Sequence, residues 1–251
     1  MKKEPKYVAF STQKGGAGKT ALTVMVASHL HYVMGYNVAV VDCDYPQHSI
    51  AEMRERDLTM VEGDEYYKGM AYEQITRLGG KKFYSIVEST PEGALNDADE
   101  LCGREELDIV FFDLPGTLNN PDIVRTIASM DYIIAPIASD RVVLESTLNY
   151  LIAVRDNIVN AVQTNIKGMR LLWNMVDGRE KSELYEVYDA VIKELGFITL
   201  QTFIPSSLRF RHEQSIDHKG VFRSTLFPAD KSLLKGSNID ALASELLELI
   251  K

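Results

Sequence analysis

Cysteine is scarce. Cys43 and Cys102 are the only two in 251 residues, and they lie far apart with no CxxC or Cys/His spacing. That excludes a disulfide framework and a cysteine-ligated zinc site, and it makes a reducing cytoplasm the expected setting. Long apolar runs are missing too: no stretch reaches the roughly 18 residues that a membrane-spanning helix needs. The charged opening Met1-Lys2-Lys3-Glu4-Pro5-Lys6 has no apolar h-region of the secretory kind. Positive charge is in deficit. With 27 Lys and Arg against 36 Asp and Glu the net charge is −9, which taken whole argues against a chain devoted to holding nucleic acid. What remains, 45% hydrophobic and 25% charged, is the composition of a globular chain long enough to bury its core without staples.

The acidity is not spread evenly. Residues 52–108 hold 15 Asp and Glu against 7 Lys and Arg, so nearly all of the net charge belongs to that stretch. Screening over about 8–10 Å makes local charge matter more than the total. Residues 51–107 are also the least regular, broken by Gly63, Gly69, Gly79, Gly80, Pro91, Gly93 and Gly103. They read as an elaborated acidic crossover within one domain spanning residues 1–251. It is either a solvated insert of helices with one extra strand near residues 83–87, or a surface for a basic partner segment.

Elsewhere, short apolar β-branched runs alternate with helical patterns, which marks a mostly parallel sheet with helices on both faces. Strands are expected at residues 7–12, 38–42, 109–113, 132–137 and 169–176, with a weaker one at 202–204. Each main run is nearly apolar throughout, as strands buried on both faces are. Helices are expected at residues 19–34, from 139 or 141 to about 159, at 182–195 and at 239–250.

Between the first strand and first helix lies Gln13-Lys14-Gly15-Gly16-Ala17-Gly18-Lys19-Thr20. Strand, glycine-rich loop and helix is the order a phosphate-binding loop needs. Glycines let backbone N–H groups curl round phosphate oxygens without Cβ clashes, and the helix N-terminus adds partial positive charge. Lys19 is placed to reach β and γ phosphates, and Thr20 to offer its hydroxyl to Mg²⁺. The strict pattern G-x-x-x-x-G-K-[ST] is not met, because Gln13 takes the first glycine position and a second lysine, Lys14, is present. Two further strands end in acids, at Asp42-Cys43-Asp44-Tyr45-Pro46-Gln47 and at Ile109-Val110-Phe111-Phe112-Asp113-Leu114-Pro115-Gly116. Carboxylates at the C-terminal ends of parallel strands face the crevice where such sheets bind ligands.

The loop Lys-Gly-Gly-x-Gly-Lys-Thr resembles that of the ParA/MinD family of deviant Walker ATPases, which implies a P-loop α/β fold, ATP and Mg²⁺. By that resemblance Gly15, Gly16, Ala17, Gly18, Lys19 and Thr20 cradle the phosphates. Lys14 reaches across an ATP-dependent homodimer to the partner's phosphates and acts with Lys19 and Asp44 in catalysis. Asp42 joins Thr20 and Asp113 in holding Mg²⁺, and Asp44 orients or deprotonates the attacking water. The chain carries one extra residue, Tyr45, before the family's proline. Gly116 is the position whose N–H approaches the γ-phosphate, while Asn174 and the loop at Pro205 border the base. Ser206 departs from the residue usual after that proline. Trp173, inside an apolar run, is read as core.

Residues 209–223 are locally basic, with Arg209, Arg211, Lys219 and Arg223 against Glu213 and Asp217. In the ParA branch such a region binds DNA non-specifically, so these four are the DNA candidates; a solvated basic face is the alternative. The resemblance implies a switch that partitions plasmid, chromosomal or mobile-element cargo and is released by a ParB-like activator of hydrolysis. A MinD-like membrane role is the less expected branch, because residues 239–251 are acidic and read as a packed terminal helix rather than a basic lipid-binding one. Metabolic relatives of the cobyrinate amidase or dethiobiotin synthetase kind remain open.

Overall fold

The computed structural model describes residues 4–160, 163–179 and 182–251; Met1 to Lys3 of the charged opening lie outside them. Six parallel strands form one sheet in the order β3-β2-β4-β1-β5-β6. They are β1 (Lys6–Phe10), β2 (Val38–Asp42), β3 (Ser85–Glu88), β4 (Ile109–Asp113), β5 (Tyr132–Ile137) and β6 (Gly168–Trp173). Side chains alternate between faces, so each strand feeds two cores. Val8, Phe10, Val40 and Phe111 pack with α1 (Lys19–Tyr32) and α9 (Ile239–Ile250) on one side. Ala9, Val41, Val110 and Phe112 pack on the other with α4 (Ala94–Arg104), α5 (Pro121–Ala128), α6 (Arg141–Val154) and α7 (Ser182–Glu194). The C-terminal ends of β1, β2 and β4 lie side by side, with Phe10 in register with Asp113 and Asp113 with Asp42. The sheet itself therefore gathers the glycine-rich loop and both acid-ended strands at the C-terminal ends of its central strands.

The acidic crossover is part of this architecture. It folds as α2 (Ser49–Gly63), α3 (Glu65–Arg77), edge strand β3 and α4. Its first two helices hold the later chain segment 212–227. Buried Asp57 accepts from Ser224 Oγ at 2.9 Å and from the Thr225 N–H and Oγ1 at 2.7 and 2.8 Å. Gln74 Nε2 donates to the Leu226 carbonyl at 2.6 Å, and Tyr67 Oη to that of Ser215 at 2.9 Å. Around these bonds Tyr67, Ala71, Val221, Leu226 and Phe227 close a third, smaller core.

Three expected elements change. Residues 202–204 are no strand, although Leu200 N and Ile204 N bond the carbonyls of Leu171 and Trp173 on β6, each at 2.8 Å. The amides of Gln201 and Thr202 donate instead to the Glu245 carboxylate of α9, at 2.7 and 2.8 Å, and Pro205 has no N–H to offer, so the ladder is interrupted. The α6 pattern ends at Val154 and passes into a π-type turn over Arg155–Val159. The strand expected to run to residue 176 stops at Trp173. Trp173 is core as expected, buried, with Nε1 donating to Asp189 at 3.0 Å. The terminal helix α9 spends its apolar face, Leu242, Leu246, Leu247 and Ile250, against the core shared with α1. Among the described residues no helix is long and apolar enough to cross a membrane.

Candidate functional site

The loop after β1 turns through Gly16 and Gly18, at φ +77° and +88°, backbone that favours glycine. Gly18 caps α1, so the first N–H groups of that helix and those of the loop share one concavity. From Gly15 to Ala21 no backbone N–H finds an acceptor among the described residues. A row of unpaired amides at a helix N-terminus is an anion nest. Lys19 folds back over it, its Nζ 3.4 Å from the Lys14 carbonyl. Burial lowers the Lys19 pKa, against the opposing pull of Asp113 and Asp44. Lys14 is exposed at the rim.

Thr20 Oγ1 donates to Asp113 Oδ2 at 2.8 Å, joining the first turn of α1 to the end of β4. The other oxygen, Asp113 Oδ1, is buried without a partner. Burial pushes the Asp113 carboxyl up to about 7; Asp42 and Asp44 add to the shift, while Thr20 and Lys19 oppose it. A bare hard oxygen beside a hydroxyl suits Mg²⁺, which takes few protein ligands and fills its shell with water and phosphate oxygens. Among the described residues no group of three or more His, Cys, Asp or Glu is placed to hold a metal ion by itself.

Asp42 stands beside Asp113 at the end of β2, but Oδ2 is committed to α2, accepting the N–H groups of Ile50 and Ala51 at 2.9 and 3.0 Å. Its Oδ1 lies 3.4 Å from the Asp44 N–H. Burial raises its pKa, and these backbone bonds oppose the rise. Asp42 is thus a brace of the helix as well as a candidate for the metal's water shell, a role that strand-end position alone did not reveal. Asp44 is half-buried on the cavity wall, just before the cis Tyr45–Pro46 bond. Gly116 presses on the start of the phosphate loop: a Cβ there would fall 2.6 Å from the Gln13 carbonyl oxygen and 2.9 Å from that of Thr12.

A cavity of about 520 Å³ runs from this end along α1. Gly15, Gly16, Gly18, Lys19 and Thr20 form its glycine-loop end, and Asp44, Gln47 and Ser49 one wall. Asn174, Met175 and residues 204–207, Pro205 among them, bound the far side with Phe210. The volume lies within the range of small-ligand sites.

Of the four basic candidates, three are engaged. Arg209 Nη1 donates to the carbonyls of Leu233 and Lys235, at 3.0 and 2.5 Å, fastening α8 (Lys231–Leu234). Lys219 pairs with Asp217 at 3.0 Å. Arg223 pairs with Glu213, which Arg56 of α2 also approaches at 3.7 Å. Arg211 is exposed, and both Arg211 and Arg223 line the cavity, a placement their spacing did not announce.

The model of the CobQ/CobB/MinD/ParA nucleotide binding domain matches residues 8–215. Among curated relatives, the chromosome-partitioning ATPase Soj of Thermus thermophilus is 23% identical over 86% of this chain and 87% of its own. A plasmid partition protein from Borrelia burgdorferi has a similar fold, with a TM-score of 0.57 at 14% identity, covering 98% of this chain and 99% of that one. So does cobyrinic acid a,c-diamide synthase from Mycobacterium smegmatis, solved with an ATP analogue and magnesium. Its TM-score is 0.60 at 19% identity, covering 99% of this chain and 96% of that one.

Proposed function

Given that the chain belongs to the CobQ/CobB/MinD/ParA nucleotide binding domain family, we propose that it is an Mg²⁺-dependent, ATP-hydrolysing dimerisation switch of the ParA type, whose ATP dimer binds DNA and partitions cargo. The observation that carries the ATP reading is the unpaired amide row from Gly15 to Ala21 facing Lys19, with the bare Asp113 Oδ1 beside Thr20. The amides hold phosphate oxygens, and Lys19 offsets the charge of the β and γ groups. Thr20 and Asp113 hold Mg²⁺, with Asp42 on its water shell; the ion, when bound, supplies neutralisation of the phosphate oxygens. Asp44 is the carboxylate on the wall that orients the attacking water or accepts its proton. Lys14, exposed at the rim, is placed to reach a second subunit, where a cation supplied in trans stabilises transferring charge. Residues 204–207 close the base end.

The partition branch draws support from the Soj and plasmid partition likenesses. The spent apolar face of α9 disfavours a membrane role for that helix. For DNA, Arg211 and Lys219 are the exposed cations of the basic segment, and an activating partner of the ParB kind releases the dimer. The test measures ATP hydrolysis and retention on DNA with ATP, ADP or no nucleotide, at two salt concentrations. The reading requires retention with ATP alone, weakened by salt and by Arg211→Glu, and loss of nucleotide binding in Lys19→Ala. Hydrolysis with no DNA retention at low salt refutes the partition branch and favours a metabolic one.

A further inference from the structure

We infer that Asn174 acts on nucleotide binding as a positioning residue for the phosphate loop, an inference that rests on the nucleotide reading above. Its side-chain Nδ2 donates to the Ala17 carbonyl at 2.8 Å, and its Oδ1 accepts the Met175 N–H at 3.0 Å. One partner is an acceptor and the other a donor, so together they fix which way the amide faces. Asn174 is buried, and its own N–H donates to the Ile137 carbonyl of β5 at 2.7 Å, so the side chain projects from the rigid end of the sheet.

The loop it touches is far less supported, being rich in glycine with its N–H groups unpaired. A trans peptide points its C=O and N–H in opposite directions, so pinning the Ala17 carbonyl also sets the direction of the Gly18 N–H. A Cβ on Gly18 would fall 2.7 Å from Asn174 Nδ2, so this approach exists only because that residue is glycine. The same stretch of chain holds the base end: Val176 N donates to the Ile204 carbonyl at 3.0 Å, and Ser206 N to that of Val176 at 2.8 Å. The end of β6 is thereby the common support of both ends of the cavity. Asn174 sets the phosphate end before any ligand arrives, lowering the ordering cost of binding.

The test separates phosphate from base by using a probe that has no base. Binding of inorganic tripolyphosphate, ATP and GTP, each with Mg²⁺, is measured by calorimetry on the full chain. The proteins compared are wild type, Asn174→Ala, and Asn174→Leu, which keeps the branched shape. We expect each variant to lose about tenfold or more for all three ligands by a common factor, with their ratios and the ligand-free melting temperature kept. Loss of ATP affinity with tripolyphosphate unchanged would make Asn174 a base reader and overturn the inference, as would unchanged binding of all three. Lower melting temperature with normal affinity in the folded fraction would reduce its role to stability and overturn it too. Wild type that binds none of the three refutes the nucleotide reading itself, and this inference with it.

Discussion

Replacing Gly116 by alanine adds one methyl group at the most crowded backbone contact of the site. Its Cβ would lie 2.6 Å from the Gln13 oxygen, 2.9 Å from the Thr12 oxygen and 3.0 Å from the Gln13 carbonyl carbon, against 3.4 Å for ordinary contact. All three are backbone atoms, so no side-chain rotation relieves the overlap; the two loops must part by about 0.8 Å. Thr12 cannot easily yield, because its Oγ1 is bonded to that of Thr147 at 2.8 Å and the Ser11 N–H to the Ile134 carbonyl at 2.9 Å. The shift falls on Gln13 and the phosphate loop, or on the 114–117 segment beside Asp113. Overpacking of this size costs about 1–3 kcal/mol of stability, and a displacement near 1 Å at a reacting site costs on the order of 10²-fold in rate. We expect Gly116→Ala to bind ATP at least ~10-fold more weakly by calorimetry, to hydrolyse it on the order of 10²-fold more slowly, and to melt about 3–10 °C lower. The control is Gly103→Ala in α4, where a Cβ meets nothing within 4 Å; it should be neutral or slightly stabilising. Wild-type nucleotide affinity and turnover in Gly116→Ala would refute the reasoning.

Asp44→Ala should retain ATP binding and dimerisation while turnover stops; a monomeric or fully active variant, by light scattering and phosphate release, contradicts its role. Burial holds the His31 imidazole down at about 4, with Nδ1 accepting the Val38 N–H at 3.3 Å and Nε2 2.9 Å from the Lys82 carbonyl. The folded protein binds this proton less readily than the unfolded chain, so stability is full above about 6.5 and is lost as pH falls towards 4, by about 3 kcal/mol. His31→Gln should flatten that slope in chemical denaturation, and an unchanged slope counts against it. Leu246→Ala, at a fully packed position of α9, should cost about 2–5 kcal/mol. A loss below ~1 kcal/mol would mean that the terminal helix is not part of the core.

The parts that local chemistry dictates were legible in the chain. A glycine-rich loop between strand and helix is a contiguous string, so Lys14 to Thr20 could be singled out by type and spacing, and the structure places them as the turn from β1 into α1. Strand-end acids follow a visible apolar run, so Asp42 and Asp113 were found where the structure places them. The base side was harder to read. Residues 202–204 have strand composition, yet their amides are claimed by Glu245 on a helix more than forty residues later. Arg209 and Arg223 read as part of a free basic face, yet each spends its charge within the molecule, on carbonyls and on Glu213. The negative charge of residues 52–108 likewise does structural work in part, since Asp57 and Asp64 hold the 212–227 segment.

By itself, then, the sequence determined the alternation that makes a parallel α/β sheet and the residue types proposed to meet phosphate and metal. Both are properties of neighbouring residues, set by backbone sterics and periodicity. Only the tertiary structure decided where each polar group spends its hydrogen bonds. Asn174 serves Ala17, 157 positions away along the chain, and Asp113 keeps one oxygen bare because Thr20 satisfies only the other. A buried donor or acceptor takes whichever partner the packed chain brings within reach, and sequence distance places no limit on that choice.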